Sequence, residues 1–140
     1  ITRCLVGSEM CIRDSRNVDH IKQPIDFTGL QNGKLHPTDI DAVLEFNNEA
    51  IIFMELKDVK SSGIPTGQRL VLERLVDSWH TSKAIAMHIV HNQLGVDPIK
   101  LHLCDVVSYY MDGEWHNTHK NVKDALNGLG HFWGIKKLKF

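Results

Sequence analysis

Asp39, Asp41, Glu55 and Lys57 are the residues of this chain whose types and spacing best suit chemistry. Carboxylate oxygens are the preferred ligands of hard divalent cations such as Mg²⁺ and Mn²⁺. An ammonium group beside them can hold negative charge as it develops. Together they suit a metal-assisted hydrolysis, in which a water must be activated and developing negative charge stabilised. A cluster of three acids against one lysine is costly to pack without a further cation, which favours a bound metal over a purely internal ion-pair cluster.

The elements that must position these groups read as a hairpin. Asp39 to Phe46 begins with alternating polar and apolar residues, and Ala50 to Met54 is a continuous apolar run, as in a strand buried on both faces. Asn47, Asn48 and Glu49 lie between them, and Asn tolerates the left-handed conformation that tight turns need. A three-residue turn pairs Phe46 with Ala50, Asp41 with Glu55 and Asp39 with Lys57, so all four functional groups share one side of the sheet. A two-residue turn turns both aspartates to the opposite side. A buried strand that ends Glu55-Leu56-Lys57 requires partners for both charges.

Pro37-Thr38-Asp39-Ile40-Asp41 followed by Glu55-Leu56-Lys57 resembles the PD-(D/E)XK nuclease superfamily, whose signature is an acidic residue on one core strand and Glu-x-Lys on the next. Gly67-Gln68-Arg69 fits the place where that family often carries a polar residue on the following helix. The likeness covers Pro24 to Trp79 and is closest to small phage-type or restriction-like nuclease domains. It implies an α/β fold with a restriction-endonuclease-like mixed β-sheet core flanked by helices. It further implies a Mg²⁺- or Mn²⁺-dependent deoxyribonuclease acting in phage recombination, repair or DNA degradation. Asp41 and Glu55 would be the metal ligands, with the Leu56 carbonyl as a family-type addition and Asp39 as an alternate ligand. Lys57 would orient the attacking water or stabilise charge. Gln68 would position water or the backbone phosphate, and Arg69 would contact substrate. The alternative within the same likeness is a nuclease-fold module without catalysis that binds DNA or protein.

Gln68 also reads from the chain itself. Thr66 is an expected N-cap, and a helix from Gln68 to about Thr81 carries an apolar stripe of Leu72, Leu75, Val76 and Trp79. Gln68 lies one turn before Leu72, so it falls at the sheet edge near Lys57. Lys83 to His91 is an apolar strand after that helix, which implies a parallel crossover. Leu101–Tyr110 and Glu114–His116 read as a hairpin around Asp112-Gly113. Val122–Leu129 is a short helix capped by Asn121. The tail from His131 mixes Phe132, Trp133, Leu138 and Phe140 with Lys136, Lys137 and Lys139. It reads as a docked terminus with solvated lysines ahead of an edge strand or a DNA-facing arm in which Lys136 and Lys137 touch substrate. Upstream, Ile25-Asp26-Phe27 is an expected first strand, with Asn32-Gly33 as the following turn; Asp26 either joins the site or serves a turn.

The nine histidines include two short pairs with zinc-like spacing, His88-x-x-His91 and His116-x-x-His119. The first pair would face opposite sides of a strand and the second would flank a loop. Neither completes a tetrahedral set.

Leu5–Ser15 resembles the translation of a transposase adapter from sequencing libraries, which assigns 1–15 to an assembly artefact and 16–140 to a single nuclease-like domain. Any extra acidic residue on a preceding helix, as the family often has, is not locatable. Without that segment Cys104 is the lone cysteine, which points to a reducing, cytoplasmic setting; the resemblance implies that of a bacterium or phage-infected host. The 140 residues carry 16 Lys+Arg against 17 Asp+Glu, so no global basic field marks a DNA partner. The DNA surface is then a local patch, or one completed by an oligomer such as a homodimer. No apolar run reaches the ~20 residues of a membrane span.

Overall fold

The computed structural model describes residues 24–140. The segment 1–15 and the position of any preceding acidic helix lie outside the described residues. The chain divides between Pro37 and Thr38 into two units.

In residues 24–37 the expected strand at Ile25–Phe27 does not form. The Asp26 carboxylate instead accepts from the Thr28 backbone N–H at 3.0 Å and from Thr28 Oγ1 at 2.8 Å, and so serves a local turn. Asn32 and Leu35 exchange backbone hydrogen bonds of 2.8 and 2.9 Å around Gly33, as the Asn-Gly pair led one to expect.

Residues 38–140 form an α/β unit built on a five-stranded mixed sheet in the order β1-β2-β3-β4-β5. The strands are β1 (Ala42–Phe46), β2 (Ala50–Asp58), β3 (Ala84–His91), β4 (Asp105–Met111) and β5 (Glu114–Asn121). Helix α1 (Thr66–Ser78) links β2 to β3, and helix α2 (Val122–Phe132) follows β5. Strands β2 and β3 are parallel and the other neighbours antiparallel. The strand–helix–strand order dictates this, because a return across a helix brings the next strand back in the same direction.

The helices lie on opposite faces. On one, Leu72 and Val76 of α1 pack with Ile51, Phe53, Ala84, Ala86 and Tyr110. On the other, Leu126 and Leu129 of α2 pack with Ile52, Met54, Ile85, Met87 and Ile89. Successive residues of β2 and β3 therefore enter different cores, which is why both strands read as unbroken apolar runs.

Several boundaries differ from expectation. Pro65, not Thr66, occupies the N-cap of α1, and Thr66 is its first helical residue. The fixed backbone angle of proline suits a helix start and replaces a side-chain cap. The helix ends at Ser78, three residues early, where Trp79 turns extended and the Trp79 indole and the Thr81 hydroxyl both bond to the Glu49 carbonyl. Leu101–Leu103 is a 3₁₀ turn rather than strand. Asn121 caps α2 as expected, its side chain accepting from Lys123 N–H at 2.9 Å. The tail docks through buried Ile135 and Leu138 on the α2 side, with Lys136, Lys137 and Lys139 exposed.

Candidate functional site

The β1–β2 turn sets the site. Asn47 and Asn48 both take positive φ, 49° and 59°, and Phe46 pairs with Ala50 across the three-residue turn. The register then runs to Ala42 opposite Met54. Asp41 lies one step beyond the last rung, next to Glu55. There its carboxylate takes over the ladder: Asp41 Oδ2 accepts from the Leu56 backbone N–H at 2.7 Å. Asp39 lies outside the strand, so the expected pairing with Lys57 does not form. Its carboxylate is exposed, and it meets the site through its backbone carbonyl, which accepts from Gln68 Nε2 at 3.2 Å.

Glu55 is the centre. It is only 2% exposed, the one charged residue of the described chain inside the core. Two donors converge on its Oε2, Gln68 Nε2 at 2.7 Å and Lys57 Nζ at 3.2 Å. Its Oε1 is buried and has no hydrogen-bond partner among the described residues. Burial, and then the charge of Asp41, push the Glu55 carboxyl above its ordinary value, against the opposing pull of Lys57. Gln68 reaches Glu55 because α1 begins at Thr66, which sets Gln68 in the first turn, one turn before buried Leu72. Arg69 turns the other way along the sheet. Its guanidinium lies 4.6 Å from the centre of the Trp115 ring, and Glu73 accepts from Trp115 Nε1 at 2.7 Å while forming an ion pair with Arg69 Nε at 3.5 Å.

The fold thus gathers Asp41, Glu55, Leu56, Lys57 and Gln68 at the carboxyl end of β2, on the α1 side. Lys136 and Lys137 do not join them, since the tail packs on the α2 side. The apolar grooves beside α2, floored by Ile85, Met87 and Tyr109 or by Leu44 and Met54, contain none of the set.

His88 is the residue that sequence reasoning missed. It pairs with Glu55 across the parallel strands, so the two side chains project together. Its Nε2 is buried without a partner. Burial lowers its pKa first, and the charges of Lys57 and Arg69 lower it further, so the ring is held neutral. The available signal was the parallel crossover, which sets the first strand of the pair against the second. The other histidine pair is corrected as well: His116 and His119 both lie on β5 rather than flanking a loop. Among the described residues no group of three or more His, Cys, Asp or Glu side chains is arranged to hold a metal ion.

A divalent ion nonetheless suits the donors present. Mg²⁺ commonly takes one or two carboxylates and fills its remaining positions with water and substrate oxygens. Asp41, the Leu56 carbonyl and the partnerless Glu55 Oε1 are of that type. No protein-family model, curated protein or solved structure matches the chain. Among the described residues no helix is long and apolar enough to cross a membrane.

Proposed function

We propose that the chain is a metal-dependent nuclease of the PD-(D/E)XK type that hydrolyses DNA phosphodiester bonds in the cytoplasm of a bacterial or phage-infected cell. The observation that carries this is the buried Glu55 carboxylate, with two donors on one oxygen, none on the other, and Asp41 beside it. Asp41, Glu55 and the Leu56 carbonyl would hold Mg²⁺ or Mn²⁺, which supplies charge neutralisation and Lewis acidity at the phosphate. Lys57, 24% exposed at its side chain, is free to turn from Glu55 toward a phosphate oxygen or the attacking water. Gln68 fixes the Glu55 carboxylate and ties the first turn of α1 to the Asp39 carbonyl.

The second reading is a nuclease-fold DNA- or protein-binding module without catalysis. It draws on the Lys57–Glu55 ion pair and on the use of one Asp41 oxygen by Leu56 N–H. One experiment separates the two. Supercoiled, linear and branched DNA are incubated with Mg²⁺ or Mn²⁺ and wild type, Glu55→Gln or Lys57→Ala, with circular dichroism to confirm folding. Cleavage by wild type that both substitutions abolish supports the nuclease. A folded wild type that neither cuts DNA nor binds a divalent ion refutes it.

A further inference from the structure

On the α1 face, each strand from β2 to β5 contributes one polar side chain to a single transverse row. Register sets Glu55 beside His88, His88 beside Ser108, and Ser108 beside Asn117. Strand alternation fixes their side. The residues two positions away, Phe53, Ala86, Tyr110 and Trp115, all belong to the core beneath α1. His88 and Ser108 are half-buried and Asn117 is exposed.

A polar row that existed only to hold the sheet together would satisfy itself, because buried polar groups are nearly always paired. This one does not. Glu55 Oε1 and His88 Nε2 are both buried without partners. The row is also flanked by cations: Lys57 stands on Glu55, and Arg69 is stacked on Trp115. The partnerless His88 nitrogen, set between these two cations, suits an anionic, hydrogen-bonding ligand, whereas the Glu55 oxygen suits a cation. Adjacent strands are ~4.8 Å apart, so β2 to β5 spans roughly 14 Å. At about 3.4 Å of axial rise per nucleotide, that is the length of about four nucleotides in a strand stacked as in B-form DNA.

We propose that this row is the floor of a binding site for one DNA strand, whose sugar–phosphate backbone crosses the sheet from Asp41 and Glu55 over His88 and Ser108 to Asn117. The His88 ring, the Ser108 hydroxyl and the Asn117 amide donate to phosphate oxygens, and Arg69 guards the flank. The direction of the strand rests on the nuclease assignment, which puts the scissile phosphate at the Glu55 end; the binding row is testable apart from it.

The test is fluorescence anisotropy of a short labelled single-stranded oligonucleotide with EDTA present, so that nothing is cut. Wild type binds. Asn117→Asp, which sets a negative charge under the phosphates, and His88→Ala each weaken binding about tenfold. Lys120→Ala, on the same strand but facing the α2 side, leaves it unchanged. In Mg²⁺, Asn117→Asp raises KM and leaves kcat alone, because it lies far from the reacting phosphate; a merely structural defect would not split the two constants. Ser108→Ala, a small change that the fold tolerates, gives a weaker effect in the same direction. Wild-type affinity in both Asn117→Asp and His88→Ala overturns the row, even if the protein cuts DNA. Loss of affinity on replacing Lys136 and Lys137, with Asn117→Asp unaffected, moves the strand to the other side of the sheet and also overturns it. Binding that depends on Asn117 in a protein that cuts nothing retains the row and removes the nuclease.

Discussion

Replacing Glu55 by Gln makes the metal-free protein more stable at pH 8, by about 1 kcal/mol. The side chain is 2% exposed, and the isosteric amide keeps an oxygen to accept from Gln68 and Lys57. Exchanging two charge-assisted bonds for neutral ones loses about 1 kcal/mol each, less for Lys57, which is partly solvated. Against this stands the burial of a carboxylate, an effective penalty of several kcal/mol per ion; the Oε1 position stays unpaired in both proteins, as an oxygen in one and an NH2 in the other, and so does not separate them. The folded-state pKa of Glu55 is raised, so its contribution to wild-type stability is fully present below the unfolded value of 4.5 and is lost as pH rises through the folded value. The variant's advantage must therefore shrink toward zero at pH 4 and grow toward pH 8. The assay is urea unfolding in EDTA at both pH values, or thermal melts, where 1 kcal/mol shifts Tm by about 4 °C for a domain of this size. Adding Mg²⁺ should reverse the order, because a ligand at 100 times its Kd adds about 2.7 kcal/mol to the wild type only. A variant that is less stable than wild type at pH 8 in EDTA, or a gap that is the same at both pH values, refutes the reasoning.

Lys57→Met removes the countercharge from a buried carboxylate and should cost about 1–2 kcal/mol at pH 8, with the loss fading as Glu55 takes up a proton in acid; urea titrations at two pH values measure it. Leu72→Ala, at a fully buried position between α1 and the sheet, should cost about 3 kcal/mol by chemical denaturation and loosen the helix that carries Gln68. Gly130→Ala drives a methyl group into the Leu138 backbone carbonyl and should cost at least ~2 kcal/mol; hydrogen exchange at Ile135 and Leu138 should rise if the tail undocks, and unchanged exchange would count against the packing described.

The hairpin was legible because two independent signals agreed. The Asn47-Asn48 pair required a tight turn with positive φ, and only an odd loop length brought Asp41 and Glu55 to one side. The α1 stripe was legible from spacing alone, as buried Leu72 and Val76 bear out. Strand β5 was largely hidden: Glu-Trp-His-Asn-Thr-His-Lys-Asn has no apolar alternation, and it is a strand because β4 offers it a partner. His88 was hidden for a different reason. Its neighbour is 33 residues away across a crossover, and no local pattern carries that register. Asp39 was overread, since the ladder stops at Ala42 and frees the chain before it. The cap of α1 was misassigned because a threonine side chain looked like the stronger signal, whereas the adjacent proline already fixed the backbone.

The bond from Leu56 N–H to the Asp41 carboxylate has a consequence for rate and entropy. Asp41 is exposed, and an exposed aspartate ordinarily samples its rotamers freely, which a ligand must then suppress at a cost of order 1 kcal/mol. Here the backbone of a buried strand has already done so, and the carboxylate waits in one orientation. The same bond makes the Leu56 amide a reporter. Its solvent exchange is slowed by a side chain rather than by a neighbouring strand, so the exchange rate of that one proton follows the state of Asp41 and changes when a cation draws the carboxylate away.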